Sequence, residues 1–284
     1  GGGRCGGRGQ GGRGAAAAEK ESVLLQKAIF SAKDLDRGGA ADPCLCVFDV
    51  DRTLTGKQGV LGPACPGNRV VSGVRDPAYS GGELTLSELG VAGLEGTFCN
   101  ACYLGVVSAG GAGGDRSAER SVLVRGVLTT GPQRRLARTT HQAQEWCYAG
   151  DITSPFVLHQ PDRTKQQAVS GILRWYEGQN INIPAARVHF FGDRTENIGP
   201  FDGTGFNARE ISCGARDEAI GSGVVGLCGA KVGEIVDEPG VKTCRQQHPL
   251  PPLDSTPGKH GGPGLQACQG DCDEDSDCLQ GLRC

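Results

Sequence analysis

Residues 45–55 read Leu45-Cys46-Val47-Phe48-Asp49-Val50-Asp51-Arg52-Thr53-Leu54-Thr55. Four apolar residues in a row predict a buried strand, and two aspartates follow where that strand runs out. Side chains at i and i+2 of an extended chain point to the same side, so Asp49 and Asp51 are expected to project together. In open α/β sheets the C-terminal strand ends are where ligands bind. A carboxylate pair there suits holding Mg²⁺ against a phosphate, or dividing the roles of nucleophile and general acid/base.

The same arrangement recurs downstream. A second predicted strand, 103–107, stops at Ser108 and is followed by Ala109-Gly110-Gly111. A third, 187–191, stops at Gly192-Asp193, and Glu196 and Asn197 come just after. Between them lies an amphipathic helix over 165–178, with Lys165 at its start and Asp162 or Thr164 as its cap. A fourth strand is predicted over 223–228, a helix over 117–128 capped by Ser117, and a short helix begun by Thr85 or Ser87. The stretch 56–82 reads as irregular, and 129–160 is not assigned. Strands alternating with helices predict the α/β class, as a three-layer, doubly wound parallel sheet. Its strand ends would gather Asp49, Asp51, Ser108, Lys165 and Asp193 on one edge. Phosphoryl transfer requires such a set: a metal, donors for the equatorial oxygens and a nucleophile in line.

In this order and strand context the residues resemble the haloacid dehalogenase-like (HAD) hydrolase superfamily, mostly Mg²⁺-dependent phosphatases. Asp49-Val50-Asp51-Arg52-Thr53-Leu54 matches its DxDx[TV]L motif, Ser108 ends an apolar strand, Lys165 opens a helix, and Asp193 with Asn197 fits GDxxx[DN]. The resemblance covers about residues 42–235. It implies a phosphomonoester hydrolase in which Asp49 attacks phosphorus and becomes an aspartyl-phosphate. Asp51 would protonate the leaving group and then activate water, while Ser108 and Lys165 hold the phosphoryl oxygens. Asp49, Asp51 and Asp193 would hold Mg²⁺, with the Val50 carbonyl. Many relatives carry a second acid where this chain has Asn197, beside Glu196, and these two are expected to support the metal. The substrate would be a phosphorylated small molecule or a phosphoprotein. The alternative is a catalytically weak or inactive binding protein on the same fold, with a Cys-rich interaction tail.

Composition sets the remaining expectations. The chain has 284 residues and a net charge of −3, which gives no case for a nucleic-acid or membrane field. No apolar stretch reaches the ~18 residues of a membrane-spanning helix. Gly at position 1 and the absence of Met predict an N-terminally incomplete chain. The expected organisation is a disordered Gly/Arg leader (1–14), an α/β domain with a minimal cap (15–240) that opens on a helix over 15–35, a Pro/Gly-rich linker (241–264) and a Cys-rich tail (265–284). Fourteen Cys predict an oxidising compartment, secreted or within the endomembrane lumen. Cys268, Cys272, Cys278 and Cys284 would form two tail disulfides, with three pairings open. The alternating Asp271, Asp273, Asp275 and Asp277 read as a solvated acidic loop before a Ca²⁺ site. Cys99 and Cys102 precede a strand, which favours structural disulfides or burial over a redox pair.

Overall fold

The computed structural model describes residues 42–218, 220 and 223–247. The expected leader, the helix over 15–35, most of the linker and the Cys-rich tail lie outside the described residues. In chain order the strands are β1 (Leu45–Phe48), β2 (Arg69–Asp76), β3 (Gly82–Leu86), β4 (Tyr103–Val107), β5 (Trp146–Tyr148), β6 (Phe156–Leu158), β7 (Val188–Gly192), β8 (Asn207–Glu210), β9 (Arg216–Asp217), β10 (Val225–Gly226) and β11 (Val241–Lys242). Seven of them form one sheet in the order β11-β8-β7-β1-β4-β6-β5. Every neighbouring pair in it is parallel, which makes the chain an α/β protein with a Rossmann-like sheet.

β1 is the centre of this arrangement. It pairs with β4 on one side and β7 on the other, Leu45 lying opposite both Tyr103 and Val188. All four of its residues are buried, which is why it reads as a continuous apolar run. Alternation sends Leu45 and Val47 to one face, against Ala168, Ile172 and Tyr176. Cys46 and Phe48 face the other way, toward Leu89 and Leu123. The helices that cover these faces are α1 (Glu88–Ala92), α2 (Ala118–Gly126), α3 (Gly131–Ala137) and α4 (Lys165–Gly178). Ser87 and Ser117 cap α1 and α2 as predicted, accepting from the Gly90 and Arg120 N–H groups. At the start of α4, Thr164 holds the cap position, but its hydroxyl accepts no N–H of the helix and donates instead to the Pro161 carbonyl at 2.8 Å.

Three assignments change. Residues 223–228 contribute only β10, which pairs antiparallel with β9 outside the main sheet. The strand beside β7 is β8, whose polar sequence Asn207-Ala208-Arg209-Glu210 hides it from a hydrophobic pattern. The Gly- and Pro-rich stretch after β1 holds an antiparallel hairpin, β2 with β3. The unassigned stretch 129–160 contains α3, β5 and β6. Sheet pairing also runs past residue 240, since β11 adds to β8.

Among the described residues, four disulfides join distant parts of the chain, and this suits an oxidising, non-cytosolic location. The parallel register that sets Leu45 opposite Tyr103 also sets Cys44 beside Cys102, and these two are bonded. Cys46 bonds Cys99, so the two cysteines of the CxxC pair are not bonded to each other. Cys65 bonds Cys228 across 163 residues, and Cys213 bonds Cys244. No helix among the described residues is long and apolar enough to cross a membrane.

Replacing Cys65 and Cys228 together by Ala should lower the unfolding free energy by about 2–4 kcal/mol, because the long loop they close regains its entropy in the unfolded chain. A lowered urea midpoint under non-reducing conditions checks this; an unchanged midpoint would mean that the bridge contributes nothing.

Candidate active site

The backbone leaves β1 in one tight turn, Val50–Leu54, closed by the Thr55 N–H donating to the Val50 carbonyl at 3.1 Å. Asp49 opens the turn, its Oδ1 accepting from the Val50 N–H at 2.8 Å. Arg52 sits at φ 61°, in the left-handed region that few non-glycine residues adopt. Asp49 and Asp51 themselves keep extended angles (φ −70°, ψ 161° and φ −67°, ψ 127°), and the left-handed residue follows them. The Val50 carbonyl, expected as a metal ligand, also accepts the Thr55 hydroxyl at 3.3 Å. Both of its lone pairs close the turn instead.

Asp49 keeps the parity of Leu45 and Val47 and faces α4. Lys165, the first residue of that helix, has no exposed surface, and its Nζ lies 3.2 Å from Asp49 Oδ2. The same ammonium donates to the Val107 carbonyl at 3.2 Å, one residue before Ser108. Ser108 Oγ accepts from the Gly110 N–H at 3.1 Å. A methyl group on Gly110 would lie 3.0 Å from Asp51 Oδ2 and 3.7 Å from Ser108 Oγ, so the chain passes close to both. Asp193, just past β7, is buried, and its Oδ2 accepts from the Gly226 N–H of β10 at 2.8 Å. The stretch misassigned as a fourth strand thus holds this carboxylate in place. The neighbouring ends of β1, β4 and β7 bring Asp49, Ser108 and Asp193 to one edge of the sheet, where Lys165 joins them.

Glu196 and Asn197 are committed elsewhere. Asn197 accepts from the Arg163 N–H at 2.7 Å and donates to Asp162 Oδ1 at 2.9 Å, bracing the turn before Lys165. Glu196 pairs with Arg163 at 3.2 Å and Arg194 at 3.1 Å. Asp51 instead has two companions that sequence reasoning missed. One carboxylate oxygen each from Asp51, Asp76 and Glu119 lie within 4.8 Å of one another. Asp76 ends β2, and Glu119 lies in the first turn of α2. An Asp before Pro reads as a turn, and a Glu in a first turn reads as a complement to the helix dipole, so neither stands out locally.

Burial dominates the electrostatics of this edge. It pushes Asp49 up, with the Lys165 ammonium pulling the other way. Burial, then the charges of Asp49 and Asp76, push Asp51 up to about 7. Burial and then Asp49 push Asp193 up to about 7. Glu119 rises to about 8, through burial and then Asp76 and Asp51. Carboxylates that repel one another in a desolvated place, offering only hard oxygen donors, make a donor set suited to a hard divalent cation. No protein-family model, curated protein or solved structure matches the chain.

These shifts predict how stability responds to pH when divalent cations are chelated. Asp51, Asp193 and Glu119 keep protons in the folded chain that they have lost in the unfolded one. Their contribution is full below the ordinary carboxylate range and disappears as pH rises through about 7–8. His189, held down at about 4 by burial, acts oppositely only below the ordinary histidine value of about 6.5. The urea midpoint in EDTA should therefore fall from about pH 6.5 to about pH 8.5. A flat or rising midpoint over that window would contradict the carboxylate assignment.

Proposed function

We propose that this chain is a metal-dependent phosphomonoester hydrolase of the haloacid dehalogenase-like type, acting through an aspartyl-phosphate on Asp49. The observation that carries this reading is the junction of β1, β4 and α4, where Lys165 Nζ lies 3.2 Å from Asp49 Oδ2. Burial raises the Asp49 carboxyl on balance, the ammonium opposes that shift, and the ionised form is the nucleophile. Asp49 Oδ attacks phosphorus while the bond from phosphorus to the leaving oxygen breaks. Asp51 gives a proton to that oxygen. It then takes a proton from the water that attacks the acyl phosphate, releasing inorganic phosphate and restoring Asp49. Ser108 and Lys165 hold the phosphoryl oxygens. Mg²⁺, held by Asp49 and Asp193, would neutralise the charge of the phosphate. The substrate is a phosphomonoester, on a small molecule or a protein.

A second reading, a binding protein on the same fold, draws on one observation: the Val50 carbonyl and the Asn197 amide are spent on protein hydrogen bonds, which thins the metal's ligand set. Hydrolysis of p-nitrophenyl phosphate by the disulfide-intact chain separates the two. Turnover should need Mg²⁺ and stop in EDTA. Asp49→Asn should abolish it, and Asp51→Asn should lower kcat by about 10²–10⁴-fold. Turnover that survives Asp49→Asn would exclude the nucleophile, and no turnover across a panel of phosphomonoesters would favour the binding protein.

A further inference from the structure

We propose that Asp51, Asp76 and Glu119 form a second cation site, which takes a hard divalent ion such as Ca²⁺ or Mg²⁺. It goes beyond the hydrolase reading and shares only Asp51 with it. The three carboxylates come from separate parts of the fold: the turn after β1, the end of the β2–β3 hairpin and the first turn of α2. Their oxygens lie close enough for one ion to bridge them with small movements.

Proximity alone would not make a site, since acidic clusters are common. The state of Glu119 adds a second observation. Its side chain is 1% exposed, yet neither carboxylate oxygen has a hydrogen-bond partner among the described residues. The adjacent guanidinium does not serve it, because Arg120 turns to Asp115 at 2.8 Å and to the Gly111 carbonyl at 2.9 Å. Asp76, also 1% exposed, is held only by neutral donors, the Gln58 amide at 2.7 Å and the Ala78 N–H at 2.8 Å. Among the described residues, no ion pair satisfies any of the three. A buried carboxylate without a partner is costly and needs a counter-charge or a proton.

The space fits the first remedy. Asp51, Asp76 and Glu119 line a cavity of about 160 Å³ together with the Gly110–Gly113 loop. At about 30 Å³ per water, it holds an ion with several water ligands. The loop must stay bare to leave that room. Gly113 sits at φ 75°, and a methyl group there would lie 2.8 Å from Glu119 Oε2. Three carboxylates with no sulfur or imidazole select a hard cation over a soft one. A bound ion would tie the hairpin to α2 and fix Asp51 from the side away from Lys165.

Isothermal titration of Ca²⁺ and of Mg²⁺ into the EDTA-stripped full chain tests this, beside thermal melts with and without each ion. The wild type should show a binding event that Glu119→Gln removes or weakens at least about tenfold. The same event should persist in Asp49→Asn/Asp193→Asn, which separates it from failure of the proposed active site. The cation-dependent rise in Tm should likewise shrink in Glu119→Gln. If that variant does not fold by circular dichroism, Asp76→Asn is read in its place. Uptake of neither ion by the wild type, or equal stoichiometry and affinity in wild type and Glu119→Gln, would overturn the site and leave three carboxylates sharing protons.

Discussion

β1 is buried on both faces and paired on both edges, and this constraint governs the molecule's chemistry. No charged group can be placed along its length, so polar atoms emerge only where it ends, at Asp49. There the buried ammonium of Lys165 meets it at 3.2 Å and also takes the Val107 carbonyl. A buried ion pair offsets its desolvation only with good geometry and additional hydrogen bonds. This one has both, and it joins the end of β1, the end of β4 and the start of α4 at a single point. Asn197 and Asp162 brace the turn that delivers the lysine.

The irregular turn after β1 divides the acidic edge in two. On one side, Asp49 and Asp193 are bonded to Lys165 and to the Gly226 N–H. On the other, Asp51 looks toward Asp76 and Glu119, with which no Lys or Arg among the described residues forms an ion pair. At short range in a desolvated site, like charges repel strongly. A phosphate approaching this edge would meet the same repulsion, which is why the proposed hydrolase and the proposed second site both call for a divalent cation.

The periphery is held by covalent links as well as by packing. Apolar residues make up 37% of the sequence, and glycine accounts for 48 of its 284 residues. Cys65–Cys228 ties the loop before the hairpin to the loop after β10, and Cys213–Cys244 ties the end of β8 to the residues after β11. Cys44–Cys102 and Cys46–Cys99 fasten β1 to the approach to β4, beside the strand that carries Asp49.

What was legible from residue order follows from local physics. The apolar runs of β1, β4 and β7, the amphipathic face of α4 and the Ser87 and Ser117 caps each signal their element within a few residues, and parallel pairing follows from the alternation of strand and helix. Asp49, Ser108, Lys165 and Asp193 stand out in the sequence because each sits where such an element begins or ends. β8 was missed because its polar residues carry no apolar pattern, and β10 was overread because a short apolar run does not reveal its partner. Only the tertiary structure decided which cysteines bond, that Asn197 braces a turn, and that Asp51 gathers with Asp76 and Glu119. These depend on contacts between positions 51, 76 and 119, far apart in the chain, and no local spacing encodes a distance that strand register and a hairpin's placement set in space.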